Sequence, residues 1–227
     1  SNALTRGKEG QFDMTGVKAI ADALSVSSSM TSLNVADNKL GVRSRDNDGC
    51  APWIPDMAGV KAIADALSVS ASMTSLNVAD SSLGGKKLSG FIKGKEWAKG
   101  EKVDYKGSAW TCTIVNPDRM LTRFDTTGIK ESAEALRVSN SMTSVDLSSN
   151  QLCGHYIEYN ELKRNYDATG IEVIADALSG STSLTEVNLS RNDLQLDGAF
   201  AIAKVMQVST TLKSLNLAEN DLVPTYG

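Results

Sequence analysis

The chain is poor in the residues that carry chemistry. Its 227 residues include one histidine, His155, and three cysteines, Cys50, Cys112 and Cys153. A nucleophile–histidine–acid arrangement would have to be built on His155, and no nucleophile is paired with it in sequence, so catalysis is not expected. Three widely spaced cysteines do not make a disulfide framework and fit a reducing compartment, so a cytoplasmic location is expected. Only Cys153 and His155 are close enough in sequence to suggest a zinc site, and no metal or other cofactor is expected. Ser44-Arg-Asp46-Asn-Asp48-Gly49 matches half of a calcium-binding loop, but the twelfth position is Pro55 where a bidentate Glu is needed. The glycines and lysines between Gly84 and Gly100 do not form a phosphate-binding loop. No run of 18 apolar residues is present to cross a membrane as a helix, and no apolar signal core stands near Ser1. A formal charge of −4 argues against non-specific nucleic-acid binding by the molecule as a whole.

What the chain does have is a stretch written twice. Gly16 to Asp37 and Gly59 to Asp80 differ only at Ser28 and Ala71. Within the first copy Val17, Ile20, Ala21 and Leu24 fall at i, i+3, i+4 and i+7, the apolar stripe of a helix. Met30, Leu33, Val35 and Leu40 then follow L-x-x-L-x-L-x-x-N-x-L, with Asn38 at the Asn position. Looser copies start at Met73, Met142, Leu184 and Leu212, and only the second replaces the Asn, with Ser81. Gly16, Gly59, Gly128, Gly170 and Gly198 each stand fourteen residues before a strand motif and are expected to open a helix. The residue before each, Thr15, Ala58, Thr127, Thr169 or Asp197, is expected to cap the first turn, the Ala excepted.

These residues carry a resemblance. The chain resembles the leucine-rich repeat proteins, and its roughly 28-residue helix-plus-strand unit is most similar to the ribonuclease-inhibitor-like subfamily. The resemblance implies an α/β solenoid, a curved horseshoe segment with parallel strands on the concave face and helices on the convex face. It also implies recognition of other proteins as the usual role. A single domain of five repeats over residues 4–227 is expected, with Ser1-Asn2-Ala3 read as the remnant of a cleaved tag. Neither Leu4-Thr5-Arg6, which echoes Leu121-Thr122-Arg123, nor the last strand motif reads as a polar cap. A longer array, or self-association through the ends, is therefore an expectation.

The spacing between copies is uneven, at 43, 69, 42 and 28 residues. All three additions fall after a strand motif and before the next helix, so they are expected along one rim, at residues 41–58, 84–126 and 153–169. The longest reads as a β-meander from Lys102 to Asp125, with Trp110, Cys112 and Ile114 alternating against Thr111 and Thr113. It holds nine Lys or Arg against five Asp or Glu, locally basic on an acidic chain. Nine of the twelve aromatic residues lie in the additions, including Trp53, Trp97, Trp110, Tyr156 and Tyr159. They serve either as small cores for the insertions or as anchors for a partner.

Strand alternation leaves Asn34, Asn77, Asp146, Asn188 and Asn216 as the middle column of the concave face. That column is either a solvated surface or a shallow polar platform. The sequence thus points to a protein-interaction or scaffolding module, binding a protein partner through the rim insertions and the adjoining concave face. Two alternatives remain: a self-associating segment of a repeat array, and a small-ligand site in an aromatic pocket of the insertions.

Overall fold

In the computed structural model the described residues are 13–43, 54–55, 57–92, 102–105, 108–116, 118–153, 156–158, 161–163 and 166–223, with side chains described at 13–41, 57–84, 124–153 and 166–223. The first unit is α1 (Thr15–Val26) and β1 (Ser32–Asn34), followed by the short strands β2 (Val42–Arg43) and β3 (Ile54–Pro55). α2 (Ala58–Val69) and β4 (Ser75–Asn77) form the second. After it come β5 (Gly85–Ile92), β6 (Lys102–Tyr105), β7 (Ser108–Asn116) and β8 (Asp118–Asp125). The third unit is α3 (Thr127–Val138) and β9 (Ser144–Asp146), with β10 (Tyr156–Glu158) and β11 (Glu161–Lys163) behind it. The fourth, α4 (Thr169–Gly180) and β12 (Glu186–Asn188), runs directly into the fifth, α5 (Gln195–Val208) and β13 (Ser214–Asn216).

One strand from each unit enters a parallel sheet in the order β1-β4-β9-β12-β13. The helices stack beside one another in the same order. Between the two layers lies the core. From α2 it takes Val60, Ile63, Ala64 and Leu67, and from the strand motifs Met73, Leu76, Val78 and Leu83, with the equivalent residues of the other units. Each fully buried Leu, Ile or Met of this kind contributes roughly 1.5–3 kcal/mol relative to an exposed one. A lone unit has too few of them, which is why the units must stack.

The expected helix openings are corrected in two respects. Each of the first four helices begins one residue before its glycine, and the fifth begins at Gln195. None has a side-chain cap of the expected kind. Instead the carboxylates of Asp13, Asp125 and Asp167 accept hydrogen bonds from the amides of Thr15, Thr127 and Thr169 at 2.8, 3.1 and 2.9 Å. The threonines are thus donors in an Asp-x-Thr-Gly motif. The glycine is required by close approach rather than by conformation. A Cβ on Gly170 would lie 2.2 Å from the Leu152 carbonyl oxygen and 2.7 Å from Ile129 Cδ1, so any side chain there would push the fourth helix off the third unit.

After each strand the chain turns through alternating left-handed residues. Asp37 and Lys39, Asp80 and Ser82, Ser149 and Gln151, Arg191 and Asp193, and Glu219 and Asp221 all have φ between 47° and 58°. Such backbone costs non-glycine residues roughly 1–2 kcal/mol each. The asparagines between them hold the turn. Asn192 Nδ2 donates to the carbonyls of Leu147, Leu189 and Ser190 at 3.0, 3.0 and 3.2 Å, while its Oδ1 accepts from the amide of Asn150 at 2.8 Å. Asn150 and Asn220 make the same cross-unit bonds, forming a ladder through the solenoid.

Candidate functional site

The register of the parallel sheet brings Asn34, Asn77, Asp146, Asn188 and Asn216 side by side in one row, as the strand alternation predicts. Their chemistry is local. In every unit the side-chain Oδ1 accepts a hydrogen bond from the amide two residues on: Ala36 at 3.0 Å, Ala79 at 2.9 Å, Ser148 at 2.9 Å, Ser190 at 3.1 Å and Ala218 at 3.0 Å. This is an Asx turn that starts the chain out of the strand. It needs only an acceptor, so Asp146 serves as well as Asn. The row's uniformity therefore has a structural cause.

All three additions leave the solenoid at the same offset and carry antiparallel strands. β2 pairs with β3, with Val42 opposite Pro55. β10 pairs with β11, with Tyr156 opposite Lys163. The longest addition is a four-stranded sheet in the order β5-β8-β7-β6, and β3 lies next to β5. The meander from Lys102 to Asp125 is present. β5 was not anticipated, because Gly85-Lys86-Lys87 and Ser89-Gly90 break any alternating pattern there. The register of β7 against β8 shifts between Cys112 and Ile114.

Of the anchor candidates, Trp110 lies on β7 opposite Val103, and Tyr156 lies on β10; their side chains are outside the described residues. Trp53, Trp97 and Tyr159 fall outside the described residues altogether. Two other aromatics of the additions face the solenoid. Phe124, at the end of β8, packs against the core. Tyr166 does so too, and its hydroxyl donates to the Leu194 carbonyl at 2.5 Å and accepts from the Gly198 amide at 3.1 Å. That bond ties the third addition to the start of α5. Both residues immediately precede the Asp of an Asp-x-Thr-Gly motif, the signal by which their anchoring role is found in the sequence.

Neighbouring Cys153 is fully buried, and burial pushes its thiol up to about 12. Burial likewise raises the Tyr166 phenol. A thiol held in its neutral form is a poor nucleophile and a poor metal ligand. Among the described residues no group of three or more His, Cys, Asp or Glu could hold a metal ion. Cys50 and His155, with the calcium-like stretch at 44–49, lie outside the described residues.

A cavity of about 20 Å³ sits between the second and third units, lined by Ile63, Leu67, Leu76, Leu136, Val145 and Ser132 among others. Ser132 stands where Ile20, Ile63, Ile174 and Ile202 stand in the other helices. The space is apolar and holds at most one water, so it is a packing defect rather than a ligand pocket.

A family model described as Leucine Rich repeat matches residues 180–203 and 208–223. A solved structure, the actin-binding site 2 of leiomodin-1, is similar over 88% of this chain and 76% of that one, at 16% identity and a TM-score of 0.49. No curated protein matches the chain in sequence. No helix among the described residues is long and apolar enough to cross a membrane. With five strand motifs in one parallel sheet and a helix layer behind them, the chain is an α/β repeat solenoid, and two stretches within residues 180–223 match the leucine-rich repeat model.

Proposed function

We propose that this solenoid is a non-enzymatic protein-binding module whose interface is the rim carrying the three additions, together with the adjoining edge of the concave sheet. The observation that supports the reading most is their shared origin. Three independent insertions, each carrying antiparallel strands, leave the repeats at one offset and so line one side of the molecule. Insertions tolerated at a single rim are those that extend a surface rather than disturb the stack. Trp53, Trp97, Trp110, Tyr156 and Tyr159 are the proposed anchors, since large aromatics supply most of the energy in interfaces of this kind. Asn34, Asn77, Asp146, Asn188 and Asn216 contribute only a polar margin, because their Oδ1 atoms are engaged in Asx turns. The excess of basic residues in 84–126 favours an acidic protein surface as the partner.

The test uses two baits in affinity capture from a native extract: the intact chain, and one with residues 86–122 replaced by a short connection. Phe124 and Asp125 stay because they serve the core and the third helix. A partner retained by the intact bait alone, and lost again on Trp97→Ala or Trp110→Ala with the thermal midpoint unchanged, supports the reading. Equal retention by both baits removes the largest insertion from the interface.

A further inference from the structure

The register of the longest addition sorts its charges between the two faces of its sheet. Lys86 lies opposite Phe124, and Thr111 lies opposite both Thr122 and Lys102, so alternation puts Lys86, Lys102, Asp104 and Asp118 on the face of Phe124. Lys87 lies opposite Arg123, and these two share the other face with Arg119 and Asp125. No other charged residue stands in the four strands. The face of Phe124, the residue by which the sheet meets the core, is therefore balanced. The other face sets three basic residues against Asp125 alone, and Asp125 is already committed. Its carboxylate accepts the amide and hydroxyl of Thr127 at 3.1 and 2.7 Å.

This second face is poorly made for a sheet that serves only itself. Lys87 and Arg123 are directly opposite each other, and like charges facing across neighbouring strands destabilise a sheet. Along the remaining strands the same face is apolar. Val103 pairs with Trp110, and Cys112 with Leu121, all four on the side of Arg123. The cations thus stand on β5 and β8, whereas β6 and β7 bring Val103, Trp110 and Cys112.

We propose that this face docks an acidic, amphipathic segment of a protein partner, with its carboxylates at Lys87, Arg119 and Arg123 and its apolar side chains at Val103 and Trp110. The carboxylates relieve the like-charged pair, and the tryptophan supplies the anchor. Nucleic acid fits less well. A single strand calls for aromatics along a basic track, and both aromatics of this face, Tyr105 and Trp110, lie on the strands that bring no cation to it. With −4 on the whole chain and nine basic against five acidic residues in 84–126, the rest of the molecule carries a formal −8. That charge repels a long polyanion more than a short acidic segment. The inference rests on the rim reading above and narrows it to one face of one addition.

The probes are labelled peptides of Glu alternating with Leu, Phe or Trp, the same peptides with Gln for Glu, and an oligothymidylate, each titrated against the intact chain by fluorescence anisotropy. The Glu peptides are expected to bind, the Gln peptides to bind about tenfold more weakly, and added salt to narrow the gap. Lys87→Glu turns the like-charged pair into an opposite-charged one, so the chain should keep an equal or higher thermal midpoint while its affinity for the Glu peptides falls about tenfold. The same change on the balanced face, Lys86→Glu, should cost far less affinity. Equal losses from Lys86→Glu and Lys87→Glu overturn the proposal. So does the absence of binding to every Glu peptide, or tighter binding of the oligothymidylate than of any of them. A captured partner that is lost on removal of 86–122 but kept by Lys87→Glu and by Arg123→Glu overturns this face alone and leaves the rim reading standing.

Discussion

The second and fourth units are built on one template and are tied to their neighbours very differently. In the fourth, Asn192 makes four buried bonds that reach into the third unit and back, Ser181 Oγ accepts the Leu184 amide at 3.2 Å, and Ile174 is fully buried. In the second, Ser81 replaces the ladder asparagine and its hydroxyl lies 3.5 Å from the Val35 carbonyl, too long for a good O–H···O bond. Ser70, the counterpart of Ser181, has a buried hydroxyl with no partner. On the far side of the same unit is the cavity left by Ser132. The longest addition also departs from this unit. Repeats that agree in pattern can therefore differ in how firmly they are held, and the difference rests on two or three side chains at each junction.

The largest effect expected is from breaking the better-tied unit. Asn192→Ala strands the Leu147 carbonyl and the Asn150 amide in a buried turn and takes one of two donors from the carbonyls of Leu189 and Ser190, and should cost about 3 kcal/mol by denaturant titration. Ser81→Ala, which removes only two long contacts, to the carbonyls of Val35 and Ala79, should cost less than about 1 kcal/mol in the same titration. Equal losses at the two positions would mean that the ladder is not what separates the units.

Repair of the weaker unit is the next effect in size. Ser132→Ile refills the cavity with the residue four other helices use, and Ser81→Asn restores a rung of the ladder. Each is expected to raise stability by about 1 kcal/mol, read as a higher denaturation midpoint with an unchanged slope. A fall in midpoint for Ser132→Ile would show that the longest addition has set α3 in a position the larger side chain cannot share.

The smallest effect at neutral pH concerns Cys153, at the junction of the third and fourth units. Burial raises its folded value to about 12, so the folded state keeps the proton that the unfolded thiol gives up from about pH 9 upward. Its contribution to stability is whole below that point and declines as pH rises toward 12. At pH 8, alkylation of Cys153 should track global unfolding, slow in buffer and fast in denaturant, by peptide mass analysis. Rapid modification of the folded chain would show that this junction opens locally.

Much of the fold was legible in the sequence because its signals are repeated. The helical stripe of Val17, Ile20, Ala21 and Leu24 and the spacing of Met30, Leu33, Val35 and Leu40 recur five times, and the sheet register follows from superposing them. The row from Asn34 to Asn216 was likewise placed correctly on one face, but its role was not readable. An Asx turn depends on where the amide of the second residue onward points, and that is a property of the folded strand end. The caps were misassigned for a related reason: Thr15 and Asp13 both suit a helix start, and in the folded chain Asp13 is the acceptor while the Thr15 amide and hydroxyl donate to it. In the additions, short strands such as β2 and β10 have no pattern long enough to be seen, and they exist because a partner strand lies opposite.

By itself the sequence determined the unit and its number of copies, since these depend on periodicity alone. Only the tertiary structure decided which identical residues are buried. Met30 and Met73 sit in the same motif at 47% and 1% exposure, because burial belongs to the neighbour a residue meets and not to the residue.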